Sequence, residues 1–111
     1  MASVNRIVVL SDTLTATGIA KNVGTELYQT DFVAVLKVSS VDVGTFDLKI
    51  EHSADGTNFE DLAVFAQLAG AGYETIQITD HVLPVVRANY ILAGGASSVV
   101  MEAHLYNDKK K

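Results

Sequence analysis

The stretch Thr45-Phe46-Asp47-Leu48-Lys49-Ile50-Glu51-His52-Ser53-Ala54-Asp55-Gly56-Thr57-Asn58-Phe59-Glu60-Asp61-Leu62 decides the fold. Its first part alternates strictly, with Phe46, Leu48 and Ile50 on one side and Asp47, Lys49 and Glu51 on the other. That period of two marks a strand with one dry and one wet face. Ser53 to Asn58 then supplies turn chemistry. Asp55 can bond its own backbone and Gly56 is free to take positive φ. Phe59 and Leu62 begin a second apolar segment, so the run predicts a β-hairpin.

Working outward, Ile7–Leu10 is a β-branched apolar run that Ser11-Asp12-Thr13 is expected to break, and Leu14–Thr17 reads as a short strand closed by Gly18. Residues 19–30 read as a long connection holding one short strand. Phe32–Val38 is apolar at almost every position, which suits a strand covered on both faces. Ala63–Ala69 has helical propensity, but the Gly70-Ala71-Gly72 after it favours a strand feeding a tight turn. Tyr73–Thr79 alternates with Ile76 and Ile78 inward. Pro84, the only proline, opens the strand Val85–Leu92. After Gly94-Gly95, Ser98–Tyr106 sets Val99, Met101, Ala103 and Leu105 inward and Ser98, Glu102 and His104 outward.

About eight short strands and no convincing helix predict an all-β fold: an antiparallel, jelly-roll-like sandwich, with an immunoglobulin-like sandwich as the alternative. The last four or five strands read as consecutive hairpins. The early connection reads as the long crossover of a Greek key. At 111 residues the chain is expected to form one domain (1–111), with a short N-terminal arm (about 1–6) and a C-terminal tail (about 107–111).

Composition narrows the function classes. With no cysteine there is no disulfide framework, thiolate nucleophile or cysteine metal site. A net charge of −5 argues against nucleic-acid binding, which calls for a basic patch. Lys109-Lys110-Lys111 reads as a solvated end. No segment approaches the roughly 20 apolar residues that cross a bilayer. Met1 to Arg6 lacks a signal-peptide pattern, which predicts use without secretion. Hydrophobic residues make up 49% of the chain and charged ones only 19%. That is short of solvating groups, and it points either to a well-filled sandwich or to apolar surface covered by another protein.

Catalytic chemistry is hard to place, and no enzyme is expected. His52, His81 and His104 form no paired metal-ligand spacing; His52 and His104 read as solvated on outward strand positions, and Asp80-His81 as a polar turn. Asp55 to Asn58 partly matches a calcium loop but lacks the distant bidentate Glu. Neither glycine pair precedes a helix N-terminus that could cradle a phosphate. Tyr28, Tyr73 and Tyr106 lie near strand ends, where a ring half in the core with a wet hydroxyl is ordinary. No metal or cofactor is expected.

One pattern resembles a known family. A strand ending in Glu51, Ser53, Asp55, Gly56 and Asn58, followed by aromatic Phe59 and the turn Gly70 to Gly72, is similar to small structural proteins of tailed double-stranded DNA phages. Arg87-Ala88-Asn89-Tyr90, leading into a Gly-rich turn and a last strand, fits as well. The likeness covers roughly residues 45–106. Related hairpins occur in discoidin-like binding domains, which usually carry Trp where this chain has Phe59. Length, acidity and all-β character resemble capsid decoration proteins, the cements and staples. The resemblance implies a jelly-roll-like domain on the outer capsid surface of a virion, made in the host cytoplasm. It would clamp neighbouring major capsid proteins, as a homodimer or through further lattice contacts, without cofactor, nucleic acid or membrane. Contacts are expected at Val4 and Arg6, around Tyr28, and at Tyr106. The alternative is a small lectin-like or host-attachment module of a phage tail or fibre.

Overall fold

In a computed structural model that describes residues 3–24, 31–79 and 81–109, nine strands pair into two antiparallel sheets. They are β1 (Ser3–Leu14), β2 (Gly18–Ile19), β3 (Val23–Gly24), β4 (Phe32–Val41), β5 (Thr45–Ser53), β6 (Glu60–Val64), β7 (Gly72–Ile78), β8 (Val85–Ala93) and β9 (Val99–Lys109). One sheet has the order β1-β9-β4-β7; the other has β2-β8-β5-β6, with β3 also on β8. The pairs β5/β6, β4/β7, β2 and β3/β8, and β1/β9 are nested one outside the next, as in a single long hairpin rolled up. That is the jelly-roll arrangement, and the strand order excludes the immunoglobulin alternative.

The hairpin forms where the alternation places it. Phe46, Leu48 and Ile50 are buried, and β5 and β6 pair from Lys49↔Val64 to His52↔Glu60. Ser53 and Asp55 close the turn. Asp55 accepts from the backbone N–H groups of Thr57 and Asn58 at 2.8 and 2.9 Å, and Gly56 sits at φ +81°. Ile76, Ile78 and the inward residues of β9 face the core as expected.

Other expectations need correction. Ser11 to Thr13 do not end the first strand. β1 is an edge strand, so its polar residues meet water while the backbone stays paired to β9, with a bulge between Val8 and Leu10. The expected arm and tail are strand from residue 3 and to residue 109, joined as Ser3↔Lys109. Ala63–Ala69 is not one strand. β6 stops at Val64, and the chain leaves for the other sheet after a bridge from Leu68 to Phe46. Among the described strands only β5–β6 is a hairpin between neighbours: β7 and β9 lie in one sheet and β6 and β8 in the other. The later turns therefore carry the chain between layers.

The core lies between the sheets. Leu36, Met101, Ala103 and Leu105 of the first sheet meet Phe46, Ile50, Val86 and Ala88 of the second, and all are buried. His52 is also inside. It shares the parity of Phe46, Leu48 and Ile50, pairs with Val86, and accepts the Leu83 N–H on Nδ1 at 3.1 Å. The reading of His52 as a solvated outward residue is therefore overturned, its polar ring satisfied by bonding rather than by water.

Candidate functional site

Three cross-strand rows on the outer face of the first sheet form the most distinctive surface. Arg6, Tyr106, Val33 and Gln77 lie in one row. Val8, His104, Val35 and Thr75 lie in the next, and Ser11, Glu102, Lys37 and Tyr73 in the third. Their side chains point away from the core because each stands one residue out of phase with Phe32, Ala34, Leu36 and Leu105. Val8 is 42% exposed and Tyr73 68%. The middle row sets Val8 and Val35 on either side of one imidazole and ends in Thr75, and the flanking rows are mostly polar.

His104 departs from its expected solvated state. It stands outward, yet only 8% of its side chain is exposed, because Val8 and Val35 flank it across the strands and Tyr106 lies 5.9 Å away ring to ring. Its Nε2 meets Glu102 Oε1 at 3.0 Å, while its buried Nδ1 has no hydrogen-bond partner. The bond to His104 holds the Glu102 carboxyl below the usual range, with Lys37 and Arg6 adding smaller electrostatic support.

Of the expected contact residues, Arg6 and Tyr106 are direct cross-strand partners on this face, Arg6 exposed and Tyr106 half-buried. Val4 lies two residues before Arg6 on β1, paired with Asp108. Tyr28 lies outside the described residues. Val8, Val33, Val35, Lys37 and His104 were missed, although a signal for them existed. For β4 that signal is the run Phe32–Val38, which reads as a strand covered on both faces: the other sheet covers the inner face, and on the outer face Val35 is buried among its cross-strand neighbours His104 and Thr75.

Three of the residues that carry the family resemblance, Glu51, Phe59 and Arg87, are joined to one another. Arg87 donates to Glu51 Oε1 at 2.8 Å and lies 3.7 Å over the Phe59 ring, while Lys49 reaches Glu51 at 3.6 Å and Asp61 at 2.9 Å. This network compensates the burial of the Glu51 carboxylate and fastens the hairpin to β8. Its contribution is architectural. A shallow cleft of about 270 Å³ beside it is lined by Asp47, Lys49, Val64, Asn89 and Ile91. Asp47 already accepts from Gln67 and Lys49 is already paired, which leaves few groups free for a ligand. Among the described residues no three His, Asp or Glu side chains gather as a metal site, and Asp80, beside the exposed His81, lies outside them.

Two exposed turns set an acid limit on the fold. Asp42 bonds the Ser97 hydroxyl at 2.7 Å and the Ser97 and Ser98 N–H groups, and Asp55 collects the Asn58, Thr57 and Ser53 donors. These bonds favour the charged forms and hold both carboxyls well below the usual range. A folded-state value below the unfolded one stabilises the protein above about pH 3.9, and this is lost as pH falls further. The urea midpoint is therefore expected to drop steeply below about pH 4. Asp55→Asn should flatten that slope while lowering the midpoint at pH 7, and a slope equal to wild type would exclude Asp55 as its source.

The fold and this face define a jelly-roll sandwich with one apolar-centred outer surface. No protein-family model matches the chain, and no curated protein matches it as a relative.

Proposed function

We propose that this protein is a capsid decoration protein that sits on the outer surface of a phage shell and staples neighbouring major capsid proteins. The observation that carries the reading is the outer face of the first sheet. The β4 sequence is that of a strand buried on both sides, and beside the already buried Val35 its outer side offers half-buried Val33 and the exposed neighbouring Val8 to another surface. The family resemblance supplies the partner, and the low share of charged side chains agrees with extensive contact. Binding the assembled shell but not free subunits stabilises the shell by mass action. A second contact, through a homodimer or another lattice neighbour, then benefits from high effective concentration, so each interface can be modest.

Co-sedimentation with undecorated shells tests this, with unassembled capsid protein as the control. Saturable pelleting with shells alone is expected, and absence of pelleting would sink the reading. Val8→Asp is expected to weaken pelleting roughly a hundredfold, as loss of a central contact does. As a half-exposed surface change it should shift stability by about 1 kcal/mol or less, read by thermal unfolding. A host-attachment or lectin-like role would draw on the cleft lined by Asp47, Asn89 and Ile91. It predicts a thermal shift with glycans and no pelleting.

A further inference from the structure

The outer face of the second sheet is arranged to match itself. Its longest cross-strand row runs Ile19, Asn89, Lys49, Val64 over β2, β8, β5 and β6. These residues point outward because they stand out of phase with the buried Leu48, Ile50, Ala63 and Ala88. Read from either end, the row is apolar, polar, polar, apolar. Ile19 is 53% exposed and Val64 60%, and Ile91, paired with Asp47 in the next row, is 50% exposed. The cleft of about 270 Å³ lies beside them, with Val64 and Ile91 in its walls. Large apolar side chains gathered on one face mark an interaction surface, where single scattered ones do not.

The polar groups of this face are already engaged within the chain. Lys49 meets Asp61 at 2.9 Å, Arg87 meets Glu51 at 2.8 Å, and Asp47 accepts from Gln67 at 3.0 Å. A partner therefore need not bring opposite charge, and a second copy of the same face brings no strong field to repel. A two-fold axis that runs along the strands, between β8 and β5, reverses the row. It sets Ile19 of one copy over Val64 of the other and Asn89 over Lys49, and it brings both copies of Ile91 together beside the axis. Such a contact is isologous, so every apolar match occurs twice. The molecule measures 44 × 31 × 19 Å, and its broad face exceeds the roughly 800 Å² per partner of a standard interface.

We propose that this face pairs the chain with a second copy of itself across that axis, Ile19 against Val64. The pairing deepens the stapling reading, on which its use at a shell rests. With the second sheets back to back, the outer faces of the two first sheets look to opposite sides, one for each capsid neighbour.

Sedimentation equilibrium of the chain alone tests the pairing without any shell. Wild-type protein is expected to dimerise with a micromolar dissociation constant. Ile19→Lys and Val64→Asp, both at exposed positions, should each weaken the dimer about tenfold or more, and Ile19→Ser should do so more mildly. Thermal unfolding of the dilute monomers should stay close to wild type. Ile19→Lys with Val64→Asp on one chain should restore much of the dimer, because the introduced ammonium of one copy then faces the introduced carboxylate of the other. Within one chain the two positions lie three strand spacings apart, about 14 Å, and cannot pair. A wild-type chain still monomeric at about 0.1 mM overturns the inference and leaves the shell reading to its pelleting assay. Wild-type dimerisation in both single variants overturns it as well, and so does a double variant no stronger than the singles. Loss of the dimer in Val8→Asp would place the second copy on the first sheet instead. If the chain is monomeric and a glycan stabilises it through a shift that Val64→Asp abolishes, the cleft takes a ligand and the inference fails. A dimer that does not pellet with shells keeps the pairing and removes the stapling reading.

Discussion

Phe46→Ala should cost about 3–5 kcal/mol, the range for truncating a fully buried phenylalanine. Phe46 has no exposed surface. Its strand is held on one side by pairing with Leu92 of β8, and on the other by two backbone bonds with Leu68 at 2.8 and 2.9 Å. The surrounding backbone is thus fixed on both sides and can collapse little into the space the ring leaves, which argues for the upper part of the range. Domains of this size are stable by about 5–15 kcal/mol, so one substitution would remove a third or more of the total. The expected fall in Tm is on the order of 15 °C. Shell binding by the surviving folded fraction should keep its wild-type affinity, because Phe46 belongs to the second sheet and faces away from the proposed docking surface. A fall of less than about 5 °C would show that Leu68 and its segment repack, and that Phe46 does not anchor the crossing.

The same residue shows what was legible. The alternation from Phe46 to Glu51 declares the hairpin because one face is dry and the other wet, and the Asp55-Gly56 turn fixes its register. Each of those signals is local. The assignment of strands to sheets is not local: Gly70 to Gly72, Pro84 and Gly94-Gly95 look alike as turns, whether they join hairpin partners or carry the chain across the sandwich. β1 was cut short because Ser11, Asp12 and Thr13 look like a turn when their pairing with Glu102, Met101 and Val100 is out of sight. His52 was legible and misread, since counting by two from Phe46 places it inward. His104 was placed on the correct face, but its burial depends on Val8 and Val35, which lie 96 and 69 positions away in the chain and meet it only through the jelly-roll order. The docking face shares that limit. Arg6 and Tyr106 stand out in the sequence only by residue type and by their positions near the ends, and it is the β1/β9 register that makes them neighbours.

Gly44→Ala is expected to be at least as disruptive as many core truncations, although Gly44 lies in a turn. Its φ of +74° is a conformation that residues with a Cβ adopt at a penalty, and an added methyl carbon would sit 2.1 Å from the Ala93 carbonyl oxygen and 2.7 Å from that of Gly94. Both obstacles are backbone, so neither can rotate aside. Gly44 lies in the β4–β5 crossover and Gly94 in the β8–β9 crossover. Asp42 joins the two turns through Ser97 and Ser98. Relief of the clash must therefore spread the two crossovers that set the sheets against each other. A loss of about 3 kcal/mol or more is expected from combined strain and overpacking, read as a lower urea midpoint. Gly70→Ala, with open space at that position, should stay within about 0.5 kcal/mol. The consequence for function is specific. β4 and β9 carry Val35 and His104, and both strands run directly into the strained crossovers. Spreading them should loosen the middle row of the docking face before the sandwich unfolds, so Gly44→Ala should lose shell affinity at temperatures where it is still folded. Equal affinity for Gly44→Ala and wild type below the melting transition would show that the face is positioned by the β1/β9/β4 ladder alone, independently of the turns.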